Sequence, residues 1–333
     1  MGNVVKIIDK GAVAAAALVL AIGLAGCGST ATVSSGSADS VAESTPKTVT
    51  VQGYNANKET VDVEVAYDPE RIAVLDMASL DIIDSLGMGD RVVGSADVSV
   101  EYLKAYGEDD DVANLGTIKE ADLEAVMACD PDVIFIGGRL ASSYDALSEI
   151  APVVFLFADA EKGTVESVRD NATTVASLFG VEDKVEELMA DFAERIEKLS
   201  EKAAGHTALV TLFTSGSVNV LGSDGRCSLI SNEIGFTNIA ADEVTSTHGN
   251  EVSYETIVAK DPEYIFVLNR DAAIGADGAA QAQEAVENAL TQQTQAYQKG
   301  QIVYLQNPSV WYTAEGGIGA LDIMLDDLET ALL

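Results

Sequence analysis

Arginine is the residue type to follow in this chain. Its 333 residues carry 54 Asp and Glu against 19 Lys and Arg, a formal net charge of −35, so a cationic site must come from few candidates. The seven arginines are Arg71, Arg91, Arg139, Arg169, Arg195, Arg226 and Arg270. Arg139 and Arg270 close two matching stretches, ADLEAVMACDPDVIFIGGR over 121–139 and VSYETIVAKDPEYIFVLNR over 252–270. Arg226 ends the turn-rich Gly222-Ser223-Asp224-Gly225-Arg226, which follows the apolar run 218–221. Each of the three is expected in or just before a loop at the carboxyl end of a strand. Taken singly, each reads better as a surface arginine paired with one of the many acids. Two at matched positions of a repeat, and a third in a comparable loop, read together as a shared cationic pocket. A guanidinium keeps its charge and presents paired donors in one plane, so the expected ligand is an oxygen-rich anion.

Other side chains add to this set. His248 is one of only two histidines and sits in Ser246-Thr247-His248-Gly249-Asn250. Trp311 and Tyr312 lie in Asn307-Pro308-Ser309-Val310-Trp311-Tyr312, after a predicted strand at 302–305. Imidazole and phenolate are plausible donors to a metal held inside a bound chelate, and Fe(III) accepts tyrosine oxygen. The plain alternatives are a loop histidine bonded to a carbonyl and two core or rim aromatics. His206 is assigned no role. Glu124 and Glu255 occupy the same place in the two repeat copies, expected away from the arginine edge. They read either as first-turn glutamates stabilised by the helix dipole or as a pair of acidic knobs for a symmetric basic partner. Cys129 and Cys227 have no CxxC spacing or Cys/His partner and are expected to be free thiols. No nucleotide-binding glycine loop, Gly-x-Ser-x-Gly elbow or HExxH is present, so no catalytic motif supports an enzyme. Two histidines are too few for a free Zn or Mn site, and the acidic balance excludes nucleic acid as a partner.

Positioning such residues requires particular elements. A shift of 131 residues lays Glu124 on Glu255, Asp130-Pro131 on Asp261-Pro262, and Arg139 on Arg270. Each copy reads as a short helix, an Asp-Pro turn that stops it, and a continuous apolar run of the kind buried in a parallel sheet. Two copies this far apart predict an α/β fold of two similar Rossmann-like lobes with the ligand cleft between them. The N-terminal lobe is expected over 48–163, opening with a hairpin around Gly53-Tyr54-Asn55. Residues 164–204 show helical spacing throughout and predict a pair of helices, broken at Gly180, as a connector. The C-terminal lobe is expected over 205–333. Helices are also expected over 98–106 and 281–298.

The N-terminus carries an address. Lys6 and Lys10 precede an apolar run over 11–25 that ends in Leu24-Ala25-Gly26-Cys27. A run this short, closed by small residues, predicts a secretory leader over 1–26 and not a span. Leu-Ala-Gly-Cys resembles a bacterial lipobox, which implies cleavage before Cys27, lipid attachment to its sulfur, and anchoring on the outer face of the cell membrane. Residues 27–47 are rich in Ser, Thr, Ala and Gly and read as a flexible tether.

With these features the chain resembles the helical-backbone class of substrate-binding proteins serving ABC importers. Within that class it is similar to the ferric siderophore-binding lipoproteins of the catecholate/enterochelin-uptake type. The resemblance rests on Ile136-Gly137-Gly138-Arg139, Gly225-Arg226, Thr247-His248-Gly249, Leu268-Asn269-Arg270 and Val310-Trp311-Tyr312. It implies that Arg139, Arg226 and Arg270 neutralise a ferric catecholate, with Trp311 in the ligand-binding set. It implies that His248 and Tyr312 complete the iron coordination of a tetradentate ligand, and that Glu124 and Glu255 dock to the permease. The implied partners are the ferric siderophore, the ABC permease with its ATPase, and the membrane through Cys27. No intrinsic cofactor is implied, Fe(III) arriving inside the ligand. Thr313-Ala314-Glu315-Gly316-Gly317 departs from the family's pattern. A haem or cobalamin-type ligand on the same scaffold, a secreted metal-dependent hydrolase and a purely structural lipoprotein stay open as alternatives.

Overall fold

The structure is a computed structural model that describes residues 47–159, 162–241, 246 and 248–333. The expected leader, Cys27 and the tether up to residue 46 lie outside the described residues, as does Thr247.

The first half comprises β1 (Thr48–Tyr54), β2 (Thr60–Ala66), β3 (Ile72–Val74), α1 (Met77–Ser85), β4 (Val92–Ser95), α2 (Ala105–Glu108), β5 (Ala113–Asn114), β6 (Gly116–Thr117), β7 (Glu120–Ala121), α3 (Leu123–Ala128), β8 (Val133–Ile136), α4 (Tyr144–Ser148) and β9 (Val153–Phe155). β1 and β2 form the expected antiparallel hairpin, but both run past Gly53. The chain reverses at 55–59, where the Asn55 side chain accepts the N–H groups of Asn57 and Glu59. The expected helix over 98–106 shrinks to a single turn at Glu101–Leu103 followed by the short α2. Strands β5-β4-β3-β8-β9 make a parallel sheet in that order. Chain order reverses between β3 and β8, and a crevice opens beyond the carboxyl ends of strands at such a point. Asp76 follows β3 there, and Gly137-Gly138-Arg139 follows β8.

The connector is three helices and not two: α5 (Thr164–Ser177), α6 (Asp183–Leu188) and α7 (Phe192–Ala203). Gly180 separates α5 from α6 at φ +64°, and a Cβ there would lie 2.6 Å from the Tyr67 hydroxyl. The second half then contributes β10 (Thr207–Thr214), β11 (Ser217–Val220), α8 (Ser228–Asn232), β12 (Thr237–Asn238), β13 (Asn250–Glu251), α9 (Tyr254–Lys260), β14 (Tyr264–Asn269), α10 (Arg270–Ala273), α11 (Ala282–Val286), α12 (Gln295–Gln298), β15 (Ile302–Tyr304) and α13 (Ile318–Leu332). The expected helix over 281–298 is broken into pieces. Asn288 accepts the N–H groups of Leu290 and Thr291, and Thr294 caps α12 through Tyr297; such side chains offer the backbone an alternative to helix.

The second sheet runs β13-β11-β10-β14-β15, with β12 also on β10. Strands β10, β14 and β15 are parallel. The central strands β10 and β14 are buried on both faces, as their continuous apolar runs require. Phe266 and Leu268 join the main core, while Ile265 and Val267 join a second core on the opposite face.

The repeat survives in detail. Asp122 caps α3 by accepting the N–H groups of Glu124 and Ala125, and Ser253, its counterpart, caps α9 through Thr256. Both Asp-Pro turns use the left-handed region, Asp130 at φ 46° and Asp261 at φ 45°, which Asp tolerates better than most residues. The last helix returns to the first lobe. Asp81 of α1 accepts the N–H groups of Gly319 (2.8 Å) and Ala320 (2.7 Å) at the start of α13, and also the Tyr102 hydroxyl. Gly317 makes this approach possible, because a Cβ there would lie 2.4 Å from Asp81 Cγ.

Candidate functional site

Four arginines are occupied by the scaffold. Arg71 donates to the carbonyls of Cys129 and Asp130 at the end of α3. Arg91 pairs with Asp68, and Arg169 with Glu166 and Glu186. Arg195 of α7 gathers Asp322, Asp326 and Glu329 from α13; the carboxylates, Glu329 foremost, push its pKa up. His206 pairs with Glu263 at 3.2 Å.

The remaining three arginines converge on Tyr312. Their guanidinium carbons lie 5.6 Å (Arg139), 4.3 Å (Arg226) and 5.6 Å (Arg270) from its ring centroid, within cation–π range. Arg139 donates to the Tyr312 carbonyl at 2.7 Å. Arg270 donates from Nε to the Tyr312 hydroxyl at 2.9 Å and from Nη1 to Thr214 at 3.0 Å. Three elements deliver them. Arg139 follows β8, where Gly137 allows the chain to pass Asp76; a Cβ at Gly137 would lie 2.2 Å from that carboxylate. Arg270 opens α10 directly after β14, with Asn269 as cap. Arg226 arrives differently from expectation. β11 runs antiparallel to β10, so its carboxyl end points away from the arginine edge, and the loop after it must turn back. Cys227, at φ 62°, marks that return.

Tyr312 is presented by a π-helical turn, Val310–Ala314. This wide turn corrects the reading of Trp311 as a ligand-binding residue. Trp311 is fully buried and donates its indole N–H to Asp327 at 2.9 Å. A large apolar ring with one donor satisfies both needs in the core. Tyr312, itself only 4% exposed, is left facing the arginines.

Acids that the sequence did not single out as partners stand behind this cluster. Asp76, the cap of α1, has its pKa raised by burial, opposed by its Ser79 hydrogen bonds and by Arg139. Glu315 accepts the Cys227 N–H at 2.7 Å; burial pushes its pKa up to about 7, against the pull of Arg226. Asp271 lies 3.9 Å from Arg270 and accepts the Ser215 N–H. Arg139 has its own pKa lowered, first by desolvation and then by the charge of Arg226. Like charges held this close favour an anion between them.

A cavity of about 140 Å³ is lined by Asp76, Gly138, Arg139, Arg226, Tyr312 and Glu315. A second, of about 300 Å³, adjoins it at Arg226 and Glu315. A groove of about 620 Å³ between β1 and α5 meets the arginine cavity at Leu156, Phe157 and Asn171, but its own cations, Lys162 and Arg169, are already paired with acids. His248 is exposed; its pKa is lowered by desolvation and then by Arg226, Arg270, Arg139 and Lys119. Lys119, at the tip between β6 and β7, thus joins the cationic mouth of the cleft. Glu124 and Glu255 are exposed in the first turns of α3 and α9. Glu124 is not remote from the arginine edge: β7, just before it, packs on the segment 138–143 that carries Arg139, whereas the far end of α3 meets Arg71. Cys129 and Cys227 are buried free thiols. Among the described residues no His/Cys/Asp/Glu group suited to holding a metal ion occurs.

This geometry has known counterparts. Over 95% of this chain and 96% of the relative, the sequence is 32% identical to the petrobactin-binding protein YclQ of Bacillus subtilis (strain 168). The crystal structure of that protein matches with a TM-score of 0.79, covering 86% of this chain and 99% of that one. The probable siderophore-binding lipoprotein YfiY of the same organism is 28% identical over 80% of this chain and 83% of its own. The periplasmic catecholate-siderophore binding protein VctP of Vibrio cholerae matches with a TM-score of 0.77 at 27% identity, covering 85% and 100%. Residues 72–308 match the periplasmic binding protein family, and the chain belongs to that family.

Proposed function

We propose that this protein captures an anionic ferric siderophore of the catecholate type in the arginine cleft and delivers it to an ABC importer. The observation that carries the reading is the convergence of Arg139, Arg226 and Arg270 on Tyr312 at the switch point of the first sheet. At ~4 Å and an effective dielectric near 20, one guanidinium gains about 4 kcal/mol per ligand charge before desolvation. A neutral ligand would displace water from three guanidiniums without replacing its hydrogen bonds, which costs several kcal/mol. The cleft therefore selects by charge first and by shape second. Within it, Tyr312 and His248 are the side chains that would complete the coordination of iron left open by a tetradentate ligand. To ligate iron the Tyr312 hydroxyl would give up its proton, and its oxygen can keep the hydrogen bond from Arg270.

Capture is binding, not chemistry, and release falls to the permease. Glu124 and Glu255, exposed at repeat-related helix starts, are the proposed contacts for basic residues there. Leu123 and Met127, both exposed, flank Glu124 with an apolar rim. Cys27 is the proposed lipid anchor at the outer face of the membrane, in keeping with a relative that is a lipoprotein. Among the described residues no helix is long and apolar enough to cross a membrane.

Calorimetric titration with a ferric bis-catecholate, and with the iron-free ligand as control, tests the reading. Saturable binding of the ferric form, weakened at least about tenfold in Arg139→Ala and in Arg270→Ala, is the expected result. Equal affinity in the two variants and the wild type would overturn it.

A further inference from the structure

Glu315 is a carboxyl group that the capture of an anion does not call for. It stands three residues beyond Tyr312 and is partly exposed on the walls of both cavities. Its Oε1 holds the N–H of Cys227 at 2.7 Å, the residue after Arg226 and one in a left-handed conformation at φ 62°. It therefore ties the Tyr312 turn to the Arg226 loop and places a carboxylate beside a guanidinium meant for the ligand. The groups that face it are Arg226 and Cys227 from the loop, Glu233 at the end of α8, and Arg139 from the segment after β8, with Asp224 and Asp159 on the wall of the larger cavity. Asp76, before α1, and Tyr312, on the same turn, line the same cavity. Glu233 is already held by the N–H groups of Thr164 and Val165 at the start of α5, so it is not available to the ligand in the same way.

We propose that Glu315 is a specificity-determining residue that sets which ligand charge the arginine cleft prefers. The inference rests on the anion-binding reading above and deepens it. Coulomb energy scales with the charge of the ligand, so an ionised Glu315 weakens the hold on a trianion more than on a monoanion. With the carboxyl neutral, three guanidiniums act undiminished and the more highly charged chelate gains. The wild-type cleft at alkaline pH is thus tuned toward chelates of lower charge, such as those of tetradentate bis-catecholates.

Glu315→Gln separates charge from position, because the amide oxygen still accepts the Cys227 N–H. Equilibrium titrations at pH 8 compare a monoanionic ferric bis-catecholate with a trianionic, hexadentate ferric tris-catecholate. The variant is expected to gain at least about tenfold more affinity for the trianion than for the monoanion. At pH 6, below the titration of Glu315 at about 7, wild type and variant are expected to converge. Taking their ratio cancels the ionisation of the ligand itself. Should that variant fail to fold, Glu315→Ala takes its place in the same ratio. An equal change for both ligands at pH 8, or a wild-type-to-variant ratio that does not move with pH, would overturn the proposal. Arg139→Ala runs alongside; if it leaves both affinities unchanged, the cleft reading itself fails, whatever Glu315 does.

Discussion

Tyr312 shows how much one side chain organises. Its ring faces three guanidiniums, its carbonyl takes a hydrogen bond from Arg139, and its hydroxyl takes one from Arg270. Tyr312→Phe keeps the ring and removes only the hydroxyl contact. We expect that variant to lose about 0.5–1.5 kcal/mol in denaturant unfolding. We also expect a changed charge-transfer band when it is loaded with a ferric bis-catecholate, whereas an unchanged band would remove the phenol from the coordination of iron. The three arginines were legible in the sequence because cations are scarce in so acidic a chain. Glu315, Asp76 and Asp271 were not, because nothing in their local sequence separates three acids from the other 51 of the 54. Trp311 was misassigned for a related reason: its neighbour faces the cleft, and only the wide turn decides which of two adjacent aromatics does so.

The contact between α1 and α13 is the element on which the geometry of the Tyr312 turn depends. Asp81 caps α13 from another helix, and Gly317 and Gly319 leave room for its carboxylate. Burial raises the pKa of Asp81 to about 6, opposed by the Tyr102 and backbone hydrogen bonds. The folded state then holds this proton more tightly than the unfolded chain, so stability from this group is greatest below the unfolded value near 3.8 and falls as pH rises through about 6. Asp81→Asn removes that slope. The cost of the substitution should therefore shrink by on the order of 2 kcal/mol between pH 4 and pH 6, read by denaturant unfolding; a constant cost would contradict the assignment. At this scale the repeat was legible, since cap, helix, Asp-Pro turn and strand are all local signals. The antiparallel β11 was not, because strand direction depends on partners far along the chain. Residues 281–298 misled through composition, as apolar and helix-forming residues there outweighed Asn288 and Thr294, whose side chains end the segments.

For the whole molecule, the two sheets are joined twice. α5, α6 and α7 cross from the first to the second, and α13 crosses back to pack on α1 and α7. Arg195 fastens the two crossings together through three carboxylates of α13. A pair of helical crossings resists bending more than extended strands would, because a helix yields only where its hydrogen bonds break. Small-angle scattering with and without a ferric bis-catecholate should therefore give nearly superimposable profiles, and a change of several ångströms in radius of gyration would point to a soft hinge instead. The α/β lobes were readable from the repeat, and the helical stretch between them from periodicity, though as two helices where there are three. The return of α13 was not, since a C-terminal amphipathic helix carries no mark of which lobe it covers.

The burial of Trp311 has an optical corollary. It is the chain's one tryptophan, sealed from solvent and adjacent in sequence to the residue at the centre of the cleft. An indole so enclosed emits at short wavelength and is shielded from dissolved quenchers such as iodide. Ferric catecholates absorb strongly in the same near-ultraviolet region, so an occupied cleft would drain that emission by resonance energy transfer across the π-turn. The protein thus carries an internal gauge of its own loading, read in dilute solution without a label.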